Sequence, residues 1–183
     1  LVYPVIMVLI GLAAMIAMGA ATAISLQQGA RNLALARQAL VNAFWLLVLL
    51  GTLAPLLLHH WHHDILLALG IVPGTETWQQ ASDYLTWIGG GTLLLASNLA
   101  VPYLLRNDGR PRLAMVLVSG GALLNILLNY IMVGRLGLGL VGTAQATLIS
   151  EGVVSLLGLG YFFTSRARLR LGWRQLVPSV PAM

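Results

Sequence analysis

The sequence predicts an all-α, polytopic membrane protein with five transmembrane helices. Hydrophobic residues make up 58% of the chain and charged residues only 8%, whereas a soluble domain carries about a quarter charged residues. The apolar residues fall into five runs, each long enough for the ~20-residue helix that crosses a bilayer. All ten basic residues are arginines, and they cluster between these runs. Such clusters are typical of membrane topology and not of a nucleic-acid-binding face.

Each predicted span has its own sequence features. The first is rich in Ala, Gly and Met, and small residues allow close helix packing in lipid. The turn from Arg106 to Pro111, with its Asn, Asp and Gly, separates the third span from the fourth. The Gly-rich link G-R-L-G-L-G joins the fourth span to the fifth. The predicted spans cover residues 2–26, 40–58, 84–105, 113–133 and 138–163, within a bundle over residues 1–175 that precedes a linker or tail at 176–183.

The arginines also predict the orientation. If the connectors alternate between the two sides, nine arginines fall on one side and Arg135 falls on the other. By the positive-inside rule, the Arg-rich loops and the C-terminal tail are cytoplasmic. We therefore expect a multi-pass protein of the inner membrane, surrounded by lipid. Because Leu1 already lies in an apolar run, we also expect a longer protein with at least one preceding helix.

Polar side chains inside the fourth and fifth spans are candidate functional residues. Asn125 and Asn129 are four residues apart and share one face of a helix. The tight link makes the two spans antiparallel neighbours, which would bring Thr147 to the depth of Asn125. These groups could form a cation- or proton-linked site, or they could only join helices by hydrogen bonds. The sequence leaves both interpretations open.

Glu151 is the one acidic residue within a predicted span, and it lies one turn beyond Thr147. An intramembrane carboxylate is energetically costly and is a functional-site candidate for that reason. An apolar environment favours the protonated form, so a change in water access could load and release a proton. Alternatively, Glu151 pairs with a basic residue of a helix outside this chain, or lies nearer the interface.

Four histidines, at positions 59, 60, 62 and 63, follow the second span. Imidazoles bind Zn and Cu, but neighbouring residues on one helix point in different directions, whereas metal ligands must converge. We interpret the cluster, beside Trp61, as a polar cap at the membrane interface. The chain has no Cys and no HExxH motif, nucleophile elbow or phosphate loop. We therefore predict no metal site, no cofactor and no enzymatic activity.

Three stretches carry a family resemblance: G-A-T-A-I-S-L-Q-Q-G-A-R, R-N-D-G-R-P-R, and N-I-L-L-N-Y followed by G-L-G-L-V-G-T-A-Q-A-T-L-I-S. In these the chain resembles the multidrug and toxic compound extrusion (MATE) transporters of the multidrug/oligosaccharidyl-lipid/polysaccharide (MOP) flippase superfamily. The resemblance makes the five spans helices two to six of the family's twelve, in its N-terminal lobe. Helix one and the C-terminal lobe would then lie outside this chain. It implies export of amphipathic or cationic small molecules, driven by H⁺ or Na⁺ entry.

The resemblance also implies site residues. The family's cation site uses an Asp on helix one, an Asn and an Asp one turn apart on helix five, and a Thr on helix six. Asn125 and Thr147 match that Asn and Thr. Tyr84 and Asn98 match a Tyr and an Asn of helix four near the same pocket. Asn129 occupies the position of the helix-five Asp, and an amide can neither carry a proton nor supply a full negative charge.

Three sources of the missing charge stay open: the helix-one Asp, Glu151, or the C-terminal lobe. We favour the first two. The predicted function is multidrug or organic-cation efflux by H⁺ or Na⁺ antiport, with this chain inactive alone. One alternative is a lipid-linked precursor flippase of the same superfamily, although no Arg lies in the middle of a span. The other is a non-transporting membrane scaffold or subunit.

Overall fold

The computed structural model describes residues 2–171, and within them it contains helices but no strand. The helices are α1 (Tyr3–Gly29), α2 (Leu33–His60), α3 (His62–Ala68), α4 (Glu76–Gly90), α5 (Thr92–Asn107), α6 (Pro111–Asn129) and α7 (Gly139–Tyr161). Four of them, α1, α2, α6 with the π-helical turn Tyr130–Arg135, and α7, are long and apolar enough to cross a membrane. The bent pair α4–α5 meets the same criteria when its two helices are taken together, which gives five spans if the pair crosses as one. The prediction of an all-α membrane protein with five spans is confirmed, and the predicted tail at 176–183 lies outside the described residues.

The helices extend beyond the apolar runs at several ends. α2 begins at Leu33, because the Asn32 side chain accepts a hydrogen bond from the backbone N–H of Leu35 at 3.1 Å and caps the helix. α4 begins at Glu76, after Thr75 accepts from the backbone N–H of Trp78 at 3.2 Å. Ser, Thr, Asn and Asp favour such caps because their side chains satisfy unpaired amides. The first turn of α4, E-T-W-Q, is too polar to be detected from hydropathy, whereas the apolar first turn of α2 is separated from its predicted span by Arg37 and Gln38.

The third span is bent by 53° where α4 meets α5. Gly91 lies at the break, and a β-carbon at this position would overlap the side chain of Leu148 in α7. Glycine therefore permits a close approach between the bend and α7. Gly89 packs closely against Leu58 in the same way, whereas Gly90 is exposed.

α5 lies at the centre of the bundle and contacts α1, α2, α4, α6 and α7. Small residues line this core, and five alanines of α1, α2 and α5 are at most 1% exposed: Ala13, Ala17, Ala36, Ala96 and Ala100. α6 packs on α5 and α7, and Ala114 is its one buried residue. The small side chains let neighbouring backbones approach closely, as helices in lipid commonly do.

The arginines lie mainly at one end of the bundle, which we call the Arg-rich end. Eight of them surround the α1–α2 and α5–α6 turns and the segment after α7: Arg31, Arg37, Arg106, Arg110, Arg112, Arg166, Arg168 and Arg170. Arg135 and the histidines lie at the opposite end. Residues 162–171 fold back onto the Arg-rich end and bury Phe162, Leu169 and Leu171 there.

Candidate functional site

A cavity of about 550 Å³ lies between α1, α5, α6 and α7. Aliphatic side chains form much of its wall, among them Ile10, Leu95, Leu99, Val118 and Val154. Six polar or charged residues also line it: Asn98, Arg106, Asn125, Thr147, Ser150 and Glu151. An apolar cavity with a few convergent polar groups is the usual form of a small-molecule site.

Asn125 joins α6 to α7 at this cavity. Its Nδ2 donates to Thr147 Oγ1 at 3.4 Å and to Ser150 Oγ at 3.3 Å. Both hydroxyls donate their own proton to backbone carbonyls of α7, Thr147 to Thr143 at 3.0 Å and Ser150 to Thr147 at 2.9 Å. Their lone pairs therefore accept from the amide. The expected contact between Asn125 and Thr147 is present, while the role of these residues in binding stays a prediction.

Ser150 is a member of this cluster that the sequence interpretation omitted. It is three residues after Thr147, so the two share a helix face and both reach Asn125. The same spacing rule that selected Glu151 would have selected Ser150. A serine in a span attracts less notice than a carboxylate because its hydroxyl bonds its own helix backbone.

The cluster lies deep in the bundle. At about 1.5 Å of rise per residue, Asn125 is about 21 Å along α6 from Pro111. Thr147 is likewise about 21 Å along α7 from Tyr161, measured from the same end. This equal depth explains why the two side chains meet across the antiparallel pair.

Asn129 supports Asn125 and does not line the cavity. Its Nδ2 donates to the backbone carbonyl of Asn125 at 2.9 Å and to Asn125 Oδ1 at 3.2 Å. These bonds orient the Asn125 amide, with Oδ1 toward Asn129 and Nδ2 toward α7. Asn129 therefore holds the Asn125 side chain in this orientation.

Glu151 lines the same cavity, one turn nearer the Arg-rich end than Thr147. Its Oε2 is buried, and no hydrogen-bond donor within residues 2–171 reaches it. A buried, unsatisfied carboxylate oxygen costs at least about 1–3 kcal/mol. A proton, a cation or a donor that entered the cavity would relieve that cost. Asn98 lies at a similar depth on α5 and lines the same space.

Tyr84 is placed elsewhere. It lines a second cavity of about 290 Å³ between α1, α4 and the start of α7, together with Tyr3, Gln80 and Thr143. The structure thus gathers Asn98, Asn125, Thr147 and Glu151 at one cavity and leaves Tyr84 outside it.

Arg106 is a second residue that the sequence interpretation did not assign to the cavity. Its guanidinium lies 5.9 Å from the centre of the Tyr103 ring. Both side chains line the cavity at the end of α5. The cavity therefore has a carboxylate at mid-depth and a guanidinium toward the Arg-rich end.

The histidines make separate local contacts. His62 Nε2 lies 2.9 Å from Ser82 Oγ, and the His63 ring packs edge-on against Trp78 at 5.1 Å between centroids. Within residues 2–171, no three His, Cys, Asp or Glu side chains come together in an arrangement that could hold a metal ion.

A polytopic helical bundle with a polar cavity at mid-depth is the arrangement found in membrane transporters. The MatE family model matches residues 1–131. The chain belongs to this family, the MATE transporters of the MOP superfamily. A search of curated protein sequences found no match to the chain.

Solved structures agree with this assignment. The chain is 30% identical to a multidrug resistance MATE transporter in an inward-facing conformation, with a TM-score of 0.88, covering 97% of this chain and 40% of that one. A MATE protein in complex with MaD3S matches at 30% identity and a TM-score of 0.89, with coverage of 97% and 40%. A MOP superfamily transporter from Pyrococcus furiosus, described as having a binding pocket of reverse polarity that suggests a different function, matches at 30% identity and a TM-score of 0.87, with coverage of 97% and 39%. The chain thus spans about 40% of the length of these structures.

Proposed function

We propose that this chain forms part of the N-terminal lobe of a transporter that exports amphipathic or cationic small molecules in exchange for H⁺ or Na⁺. The observation that carries the proposal is the cluster of Asn125, Thr147, Ser150 and Glu151 at one amphipathic cavity. A preceding helix and a second lobe would come from a longer protein, since the chain spans about 40% of the matched structures. The Arg-rich end would face the cytoplasm of an inner membrane. The isolated chain would bind without transporting, because alternating access requires two lobes.

Glu151 supplies the negative charge that Asn129 does not. Its carboxyl group lines the cavity beside Ser150, and its Oε2 has no donor among residues 2–171. An organic cation in the cavity would be attracted to an ionised Glu151 and released when the group is protonated. Competition of this kind at one carboxyl group, combined with alternating access by two lobes, would couple export of a cation to entry of a proton.

The arrangement of Asn125 supports H⁺ over Na⁺ as the coupling ion. Hard metal cations are held by several oxygen ligands. Asn125 turns its Nδ2 toward Thr147 and Ser150, and its Oδ1 already accepts from Asn129. Glu151 needs no further ligand to bind a proton.

The test is Glu151→Gln in the full-length protein, reconstituted in vesicles with an imposed pH gradient and a fluorescent organic cation. We expect gradient-driven transport to fall at least about tenfold, because the amide of Gln neither carries a proton nor attracts the cation with a full charge. Glu76→Gln, which changes an exposed acid of α4, is the matched control and should keep the wild-type rate. Adding Asn129→Asp to Glu151→Gln should restore part of the gradient dependence. Unchanged rate and pH dependence in Glu151→Gln would remove Glu151 from the mechanism.

Arg106 favours a second candidate function, movement of a lipid-linked anionic precursor. Arg106 is one of the residues that line the cavity, and arginine binds phosphate groups through paired donors. The matched Pyrococcus furiosus transporter is itself described as having a pocket of reverse polarity. If the protein moves such a precursor, Arg106→Gln should abolish movement of a phosphate-bearing lipid. If it exports organic cations, the same variant should keep that efflux.

A further inference from the structure

The turn between α5 and α6 contains a buried carboxylate that the proposed transport site does not use. Asp108 follows the last residue of α5 and is 1% exposed, although it lies in a two-helix turn at the Arg-rich end. The next residue, Gly109, has a φ of +79° that lets the chain reverse before α6. A carboxylate buried in this way must be compensated by hydrogen-bond donors.

The donors all come from the end of α7 and the segment that follows it. Asp108 Oδ1 accepts from the backbone N–H of Leu169 at 2.8 Å. Oδ2 accepts from the backbone N–H of Arg168 at 3.1 Å and from the Tyr161 hydroxyl at 2.7 Å. Charge-assisted bonds of this kind are stronger than neutral ones. The α5–α6 turn is thus bound to the chain that leaves α7.

Arg110, on the same turn, reinforces this connection. Its Nε donates to the Tyr161 hydroxyl oxygen at 3.2 Å, and its Nη2 donates to the backbone carbonyl of Arg166 at 3.4 Å. The turn therefore binds the chain after α7 in two ways: the Asp108 carboxylate accepts hydrogen bonds from it, and the Arg110 guanidinium donates hydrogen bonds to it.

Apolar contacts fix the same segment, residues 162–171, which we call the docked segment. Leu169 is fully buried, Leu171 is 4% exposed and Ala167 is 9% exposed, all within the core shared with α1 and α2. The backbone N–H of Leu171 donates to the carbonyl of Phe162 at 2.8 Å, so the two ends of the docked segment meet. The chain therefore passes residue 171 at a defined point beside the end of α7.

We propose that Asp108 is a positioning residue that holds the docked segment against the Arg-rich end and so fixes where the chain leaves the lobe. In the transporter proposed above, that chain leads to the second lobe. A rocking motion of this lobe is then transmitted through the docked segment as far as residue 171, because that segment is bound to the lobe. This last step rests on the proposed function, whereas the docking itself does not.

The test of docking is the reactivity of a buried thiol. The chain has no Cys, so Ala167→Cys introduces its one thiol, at a position that is 9% exposed. In the full-length protein, with any cysteine outside this chain replaced, Asp108→Ala should raise the rate of maleimide labelling at this thiol at least about tenfold, because two backbone N–H groups lose their partner. Asp83→Ala removes an exposed acid of α4 and should leave the rate unchanged. A thiol at the exposed Ser165 should react equally fast in both backgrounds.

An unchanged labelling rate in Asp108→Ala overturns the proposal. If that variant is not recovered from membranes, Asp108→Asn is tested instead. It keeps one acceptor oxygen and should raise the labelling rate several-fold; an unchanged rate overturns the proposal.

Transport is measured on the same variants after reconstitution in vesicles. We expect Asp108→Ala to lower gradient-driven efflux while the Kd of the organic cation stays within twofold. Normal efflux with a released segment overturns the positioning role, and a silent Glu151→Gln overturns the proposed function without affecting the labelling result.

Discussion

Asp108, which is buried, and Glu151, which is partly buried, differ in how their carboxylate oxygen atoms are satisfied. Asp108 accepts three hydrogen bonds at 2.7–3.1 Å, with donors on both oxygens. Glu151 faces a cavity, and its buried Oε2 has no donor within residues 2–171. A buried carboxylate with every oxygen bonded stabilises one arrangement of the chain. One with an unsatisfied oxygen weakens the fold, and such groups concentrate at functional sites.

Removing the satisfied carboxylate should have the largest effect on stability. Asp108→Ala leaves the buried backbone N–H of Leu169 and the part-buried N–H of Arg168 without an acceptor, at a cost of about 2–5 kcal/mol. We expect the apparent Tm of the detergent-solubilised full-length protein to fall by at least about 5 °C. Asp83→Ala should change it by no more than about 1 °C, as expected of an exposed substitution. Equal Tm values for the two variants would mean that Asp108 does not support the fold.

Adding a methyl group to the cavity wall near Glu151 should have the next largest effect on stability. A β-carbon on Gly121 would overlap the side chain of Val154, and both residues line the cavity. Gly121→Ala should destabilise the protein by about 1–3 kcal/mol through overpacking. It should also weaken binding of an organic cation while leaving the labelling of Ala167→Cys unchanged. Gly120→Ala is the matched control, because a β-carbon there meets nothing within 4 Å.

Removing one of the two hydroxyl groups that accept from Asn125 should have a smaller effect on stability. Ser150→Ala leaves Thr147 as an acceptor for Asn125, so we expect a loss of only about 0.6 kcal/mol, typical of an interhelical bond in membranes. Adding Thr147→Val should cost more than the sum of the single changes, because the amide then loses both acceptors. A double-mutant cycle on thermal unfolding measures this coupling. Strict additivity would contradict a shared contact.

Removing the charge of Glu151 should have the smallest effect on stability. Glu151→Gln replaces a partly buried acid with a neutral group of the same shape, so we expect the free energy of unfolding to rise or to change by less than about 1 kcal/mol. The same Tm assay measures it beside Asp108→Ala. A loss as large as that of Asp108→Ala would show that both carboxyl groups support the fold, and the contrast between them would disappear.

The sequence was informative where chemistry and periodicity act locally. Hydropathy located the five spans, and the antiparallel link brought Thr147 to Asn125. It was less informative where distant segments meet. Asp is common in turns, so the sequence gives no sign that Asp108 is buried. Its burial depends on backbone groups of Arg168 and Leu169 some 60 residues later. The bend at Gly91 likewise depends on Leu148 of another helix.

The joint at Gly91 has a geometric consequence for the whole span. α4 has 15 residues, so at 1.5 Å per residue its far end lies about 22 Å from the joint. A swing of about 10° about Gly91 would displace that end by roughly 4 Å, about three-quarters of the helical pitch. Leu148, which packs against the joint, is the immediate neighbour of Thr147. The joint therefore contacts α7 at the residue next to Thr147, and the far end of α4 lies at the end of the bundle opposite the Arg-rich end.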